Sequence, residues 1–150
     1  MRLDHEFSEF VAYLRDHDVR FMVVGGYAVA AHGHPRYTGD LDIWVQPSAE
    51  NANKLLAALD AFGFGSVGLT AEDFIRPDHV VQLGYPPLRI DLLTSVDGVE
   101  FEDCYADRLE ILVDGVGVCF IGLDGLRRNK AASARPQDIA DLAALDENGT

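Results

Sequence analysis

A short apolar run closed by two glycines, Val19 to Val24 followed by Gly25-Gly26, constrains this chain more than any other feature. Three valines in six residues favour a buried strand, and the glycine pair stops it in a turn. Tyr27 to His32 continues as a small-residue helical stretch. Gly33 to Gly39, with Pro35, reads as a turn-rich loop, and Asp40 to Val45 alternates polar and apolar as a second strand should. Two strands that leave and re-enter one sheet through a glycine turn commit the chain to a mixed α/β architecture.

The remaining pattern agrees. Phe7, Phe10, Val11 and Leu14 recur at helical spacing and predict an amphipathic helix over residues 4–17. Pro47-Ser48 leads into a helix whose Leu55, Leu56, Leu59 and Phe62 share a face. Gly63 to Pro77 is irregular with one turn of helix. Val80 to Leu83 and Leu88 to Leu93 read as strands, Phe101 to Leu109 as a short helix, and Ile111–Val113 with Val116–Phe120 as a hairpin around Asp114-Gly115. A helix follows over Leu123 to Ala132. Pro136 then sits in the first turn of a last helix, with Ile139, Leu142 and Leu145 on one apolar stripe. The expectation is one domain spanning 1–150, an α/β (α+β) fold with four to six strands covered by helices.

Several function classes are disfavoured. A net charge of −13 argues against a general DNA-binding surface, which needs an extended basic face. No apolar run approaches the roughly 20 residues needed to cross a bilayer, and residues 1–20 lack a signal-peptide core, so a cytoplasmic location is expected. Cys104 and Cys119 stand apart from any CxxC or Cys/His cluster and read as partly buried free thiols. His32 and His34 flank Gly33 without a third ligand at suitable spacing. Four of the twelve basic residues, Arg127, Arg128, Lys130 and Arg135, fall within nine positions, as a solvated helix face or a positive rim for phosphate.

The chemistry concentrates in three aspartates. On a strand Asp40 and Asp42 point to one face while Leu41, Ile43 and Val45 face the core. Carboxylates so close repel when both are ionised, and a divalent cation such as Mg²⁺, which prefers oxygen ligands, removes the conflict. A solvated pair on an edge strand is the alternative. Gly25-Gly26 lets a phosphate approach the backbone at a helix start, or is a plain tight turn. Asp91, a lone carboxylate in the interior-strand pattern Leu88-Arg89-Ile90-Asp91-Leu92-Leu93, needs an arginine, a helix N-terminus or a metal as partner. Three carboxylates on adjacent strands suit two-metal phosphoryl transfer. Arg36 is placed to pair with Asp40 or neutralise phosphate, and Lys130 to reach a triphosphate from the terminal helices. Trp44 is placed to pack or to stack on a base.

In this order, Gly25-Gly26, Arg36, Thr38, Asp40-Leu41-Asp42-Ile43 and Ile90-Asp91-Leu92-Leu93 resemble the motif of the polymerase-β-type nucleotidyltransferase superfamily, closest to its minimal and AbiE-type toxin-like branches. Lys130, Arg135-Pro136, Asp138 and Asp141-Leu142 are similar to the end of such proteins. The resemblance implies the nucleotidyltransferase fold and transfer of a nucleoside monophosphate from an NTP such as ATP, with Mg²⁺ or Mn²⁺, to a hydroxyl of a protein, RNA or small molecule. Asp40, Asp42 and Asp91 would bind metal and carry catalysis. Gly25, Gly26, Arg36, Thr38 and Lys130 would serve the nucleotide. Much of the superfamily has Gly-Ser at the turn, and Gly26 replaces that serine. The second expectation is a catalytically inactive module of the same fold, acting through a partner protein, as in a toxin–antitoxin pair; an oligomer is open in either case.

Overall fold

The computed structural model describes residues 4–35, 38–85 and 88–148. Among the described residues six strands form one mixed sheet: β1 (Phe21–Val24), β2 (Asp40–Val45), β3 (Val80–Tyr85), β4 (Leu88–Leu93), β5 (Leu109–Val113) and β6 (Val116–Phe120). Their spatial order is β3-β4-β2-β1-β6-β5, so β2 and β4 are interior neighbours and not edge strands. They run parallel, with Asp40 opposite Arg89 and Asp42 opposite Asp91. On its other side β2 pairs antiparallel with β1, which places Val24 opposite Asp42.

Side-chain alternation divides the sheet as the sequence predicts. Leu41, Ile43, Ile90 and Leu92 are buried on one face. Helix α1 (His5–Asp16) contributes Phe7, Phe10, Val11 and Leu14 to the core, and α3 (Ala49–Leu59) contributes Ala52, Leu55, Ala58 and Leu59. Each phenylalanine, valine and leucine among them contributes about 1.5–3 kcal/mol on burial, and each alanine less. The helix starts are fixed locally: Asp4 accepts from the Glu6 amide at 2.9 Å and Ser48 from the Asn51 amide at 3.2 Å. Asp40, Asp42 and Trp44 share the other face. Trp44 is fully buried against Phe101 of α4 (Phe101–Ala106) in an edge-to-face pair at 5.2 Å, so it is a core residue.

The Asp114-Gly115 turn has positive φ at both residues, which is why this dipeptide closes the β5–β6 hairpin. Leu109 belongs to β5; α4 ends at Ala106. A larger correction concerns the C-terminal helices, α5 (Leu123–Ser133) and α6 (Pro136–Asn148), which pack on each other. Ile139 lies 57% exposed, off the buried stripe; α6 instead turns Asp138, Asp141 and Leu145 inward. The reason is Lys130 of α5. Its side chain is 4% exposed, and the ammonium lies 3.1 Å from Asp138 Oδ1 and 3.0 Å from Asp141 Oδ2. Charge pairing overrides hydrophobic periodicity here, because an unpaired buried ammonium is costlier than an exposed isoleucine.

Two substitutions check this assignment. Ile139→Ala is expected to change unfolding free energy by no more than about 0.5 kcal/mol, and Leu145→Ala to cost about 2–5 kcal/mol. Lys130→Met, which removes the buried cation shared by Asp138 and Asp141, is expected to cost about 3–5 kcal/mol in urea titrations.

Candidate active site

The glycine turn, β2 and β4 meet at one place. Gly25 opens α2 (Gly25–Ala31) with φ +69°, and a Cβ there would run into Asp42 Oδ2. Glycine is required both by the backbone conformation and by the close approach of the turn to the carboxylate. No side chain caps α2, so its first amides have no partner from a capping residue. Thr38 sits just before β2 and donates from Oγ1 to the Asp40 carbonyl at 3.3 Å. Arg36 lies outside the described residues.

Parallel register puts Asp42 and Asp91 side by side on the same face, close enough to share a hydrogen bond. Burial, followed by the Asp91 and Asp40 charges, raises Asp42 to about 7, against the opposing pull of Arg89. Asp91 is 8% exposed. Arg89, two residues before it and therefore on the same face, reaches both flanking carboxylates. Its Nη2 is 2.7 Å from Asp40 Oδ2, and its Nε is 3.2 Å from Asp91 Oδ1. One guanidinium thus holds two of the three aspartates. The sequence named an arginine as one partner for Asp91 but did not single out Arg89; the i, i+2 spacing was the available signal.

Three carboxylates give a hard oxygen donor set of the kind that suits Mg²⁺ or Mn²⁺, and the buried Asp91 Oδ1 has no properly formed hydrogen bond to Arg89 or any other described group. The donors fit such an ion chemically. Their present arrangement is not a ready-made cage: among the described residues no three His, Cys, Asp or Glu groups are grouped to hold one.

The C-terminal basic cluster divides. Arg127 pairs with Asp146, Arg128 with Asp124, and Lys130 is enclosed between α5 and α6. Arg135 approaches the site. It follows Ala134, whose left-handed φ of 49° turns the chain between the helices, and its Nε donates to Asp138 Oδ2 at 2.7 Å. That hydrogen bond raises its affinity for a proton, and the charges of Asp138, Asp42 and Asp97 act in the same direction. Burial alone would raise Asp138, but hydrogen bonds from Arg135 and Lys130 outweigh it and hold this carboxyl well below the ordinary range. His32 is occupied by the Ile121 carbonyl at 2.8 Å, and both cysteines are buried and free. Among the described residues, clefts of about 700 and 740 Å³ are lined by residues other than Gly25, Asp40, Asp42, Arg89 and Asp91. Among the described residues no helix is long and apolar enough to cross a membrane.

A mixed six-stranded sheet carrying paired carboxylates on β2, a third on β4 and a glycine turn after β1 defines a nucleotidyltransferase-type fold. The chain belongs to the family described as nucleotidyltransferase of unknown function (DUF6036), whose pattern matches residues 1–146. No curated protein is a significant match. Among solved structures, a protein of Thermotoga maritima provisionally described as a nucleotidyltransferase superposes with a TM-score of 0.61 at 14% identity, over 94% of this chain and 88% of its own. An antigenic nucleotidyltransferase-like protein from Paracoccidioides brasiliensis gives 0.57 at 18% identity, over 92% and 72%. The antibiotic-resistance factor ANT(2'')-Ia gives 0.58 at 14% identity, over 92% and 79%, and another of its structures holds adenylyl-2''-tobramycin. At these identities the likeness establishes the fold.

The raised Asp42 carboxyl has a consequence for stability. Between its ordinary value of 3.8 and about 7 the folded state binds more protons than the unfolded chain. Stability therefore falls as pH rises through that window. Asp42→Asn, a mimic of the neutral acid, is expected to be about 1–3 kcal/mol more stable than the parent at pH 8 without metal, and indistinguishable from it near pH 4. Urea unfolding at the two pH values measures the gap.

Proposed function

We propose that this chain transfers a nucleoside monophosphate from an NTP to a hydroxyl acceptor. The observation that supports it is the convergence of Asp40, Asp42 and Asp91 beside the positive-φ glycine turn. In this reading Asp40, Asp42 and Asp91 hold Mg²⁺ or Mn²⁺, which when bound would neutralise phosphate charge and lower the pKa of the attacking hydroxyl. The Gly25-Gly26 backbone receives the phosphates, because no Cβ of either glycine stands between them and the amides of the turn. Thr38 flanks the nucleotide just before β2, and Arg36 is assigned to the nucleotide from the sequence motif. Lys130 serves it through Asp138 and Arg135, the exposed member of that series.

The acceptor oxygen forms its bond to the α-phosphorus as the bond from that phosphorus to the β-phosphate bridging oxygen breaks, releasing pyrophosphate. In this reading the acceptor proton passes to an aspartate of the cluster, Asp91 assisting as the base. The acceptor belongs to one of three classes, a protein, an RNA end or a small molecule. The adenylylated small molecule held by ANT(2'')-Ia supports the last.

One observation favours a second reading. Arg89 already neutralises two of the carboxylates, as expected of an inactive module of this fold that works through a partner, for instance in an AbiE-like toxin–antitoxin pair. Calorimetry separates the two. ATP and the other NTPs are titrated with and without Mg²⁺ into the parent and into Asp42→Asn. The enzyme reading expects Mg²⁺-dependent binding weakened at least about tenfold by the substitution, the loss of one charge-assisted ligand. Absence of NTP binding by the parent sinks it.

A further inference from the structure

Arg89 occupies a position that the proposed site has to vacate. Its Nη2 lies 2.7 Å from Asp40 Oδ2 and 3.4 Å from Asp91 Oδ2, and its Nε lies 3.2 Å from Asp91 Oδ1. These are oxygens of two of the three carboxylates assigned above to the cation. A guanidinium and a divalent ion on the same oxygens repel strongly, so the two are alternatives. The contact is also imperfect. Nε of Arg89 and Oδ1 of Asp91 are both buried, yet they do not form a hydrogen bond in proper geometry. The two contacts to Asp91 have the pairing of a parallel fork, but the Nη2 leg is long at 3.4 Å and the Nε leg is not formed as a hydrogen bond. Arg89 retains partial exposure, 32% of its side chain, so it has room to withdraw.

We infer that Arg89 is a built-in counter-ion that holds the carboxylates together in the metal-free protein and competes with the cation for them. When the cation arrives with a triphosphate, the guanidinium leaves Asp40 and Asp91 and takes the phosphate as its new partner. Arg89 is thus a positioning residue that makes metal and nucleotide bind cooperatively: metal alone must evict a cation with nowhere to go, and metal with nucleotide need not. The inference rests on the metal reading of this site and adds to it a residue and a coupling.

The test measures Mn²⁺ binding directly, from the electron paramagnetic resonance signal of the free ion, with and without a non-hydrolysable ATP analogue. The proteins are the parent, Arg89→Met and Arg89→Lys. Arg89→Met keeps the aliphatic stem and is expected to bind Mn²⁺ alone about tenfold or more tighter than the parent. It is also expected to lose most of the gain that the analogue gives the parent. Arg89→Lys, with its charge kept, is expected to stay near the parent. If the methionine variant is too unstable at room temperature, its thermal unfolding with and without Mn²⁺ reads the same competition: the ion should raise its Tm more than the parent's. The inference fails alone if the parent binds Mn²⁺ and the analogue together while Arg89→Met binds Mn²⁺ no tighter than the parent. If the parent does not bind the analogue under any condition, the transferase reading fails. A gain of Mn²⁺ affinity in Arg89→Met then still upholds the competition, and no gain overturns it as well.

Discussion

Carboxylates crowded onto neighbouring interior strands repel one another, and the site is organised around that repulsion. Asp42 and Asp91 are adjacent because β2 and β4 run parallel in register, and Asp40 is opposite Arg89 for the same reason. Water screens such charges poorly where the strands are buried. The protein responds in two ways, with a proton retained near neutrality on Asp42 and a guanidinium between Asp40 and Asp91. Each lowers the charge of the cluster. Neither supplies the full set of oxygen contacts, as the unsatisfied Asp91 Oδ1 shows. A site balanced in this way responds to whatever cation enters it.

The C-terminal helices meet a related constraint with the opposite solution. Lys130 is buried, so two aspartates of α6 turn inward to meet it, and the helix gives up the burial of Ile139. Asp138 then has oxygen capacity left over, which Arg135 takes through its backbone amide, Nε and Nη2. The series runs from a buried ammonium to an exposed guanidinium within electrostatic reach of Asp42. Core pairing and the border of the carboxylate cluster are therefore parts of one network, and a change at Lys130 would be felt at both.

Much of the architecture was legible in the chain because it depends on local periodicity and turn chemistry. The stripe Phe7, Phe10, Val11 and Leu14, the alternation of Asp40 to Val45, and the Asp114-Gly115 hairpin each report a preference that burial rewarded. The shared face of Asp40 and Asp42 followed from strand geometry alone. Local pattern misleads where a partner distant in sequence decides. A helical stripe puts Ile139 inside because it cannot register a lysine on another helix. The role of Arg89 is not legible locally, because it depends on which strand lies beside β4.

The sequence by itself determined the elements, the glycine turn and three aspartates on inward-reading strands, all of which rest on the intrinsic geometry of the backbone and on hydrophobic patterning. Only the tertiary structure decided that Asp42 faces Asp91, that Arg89 lies between Asp40 and Asp91, and that Asp138 and Asp141 close on Lys130. These are charge interactions between residues far apart in the chain. Their strength depends on distance and burial, and both exist only once the sheet has paired and the helices have packed.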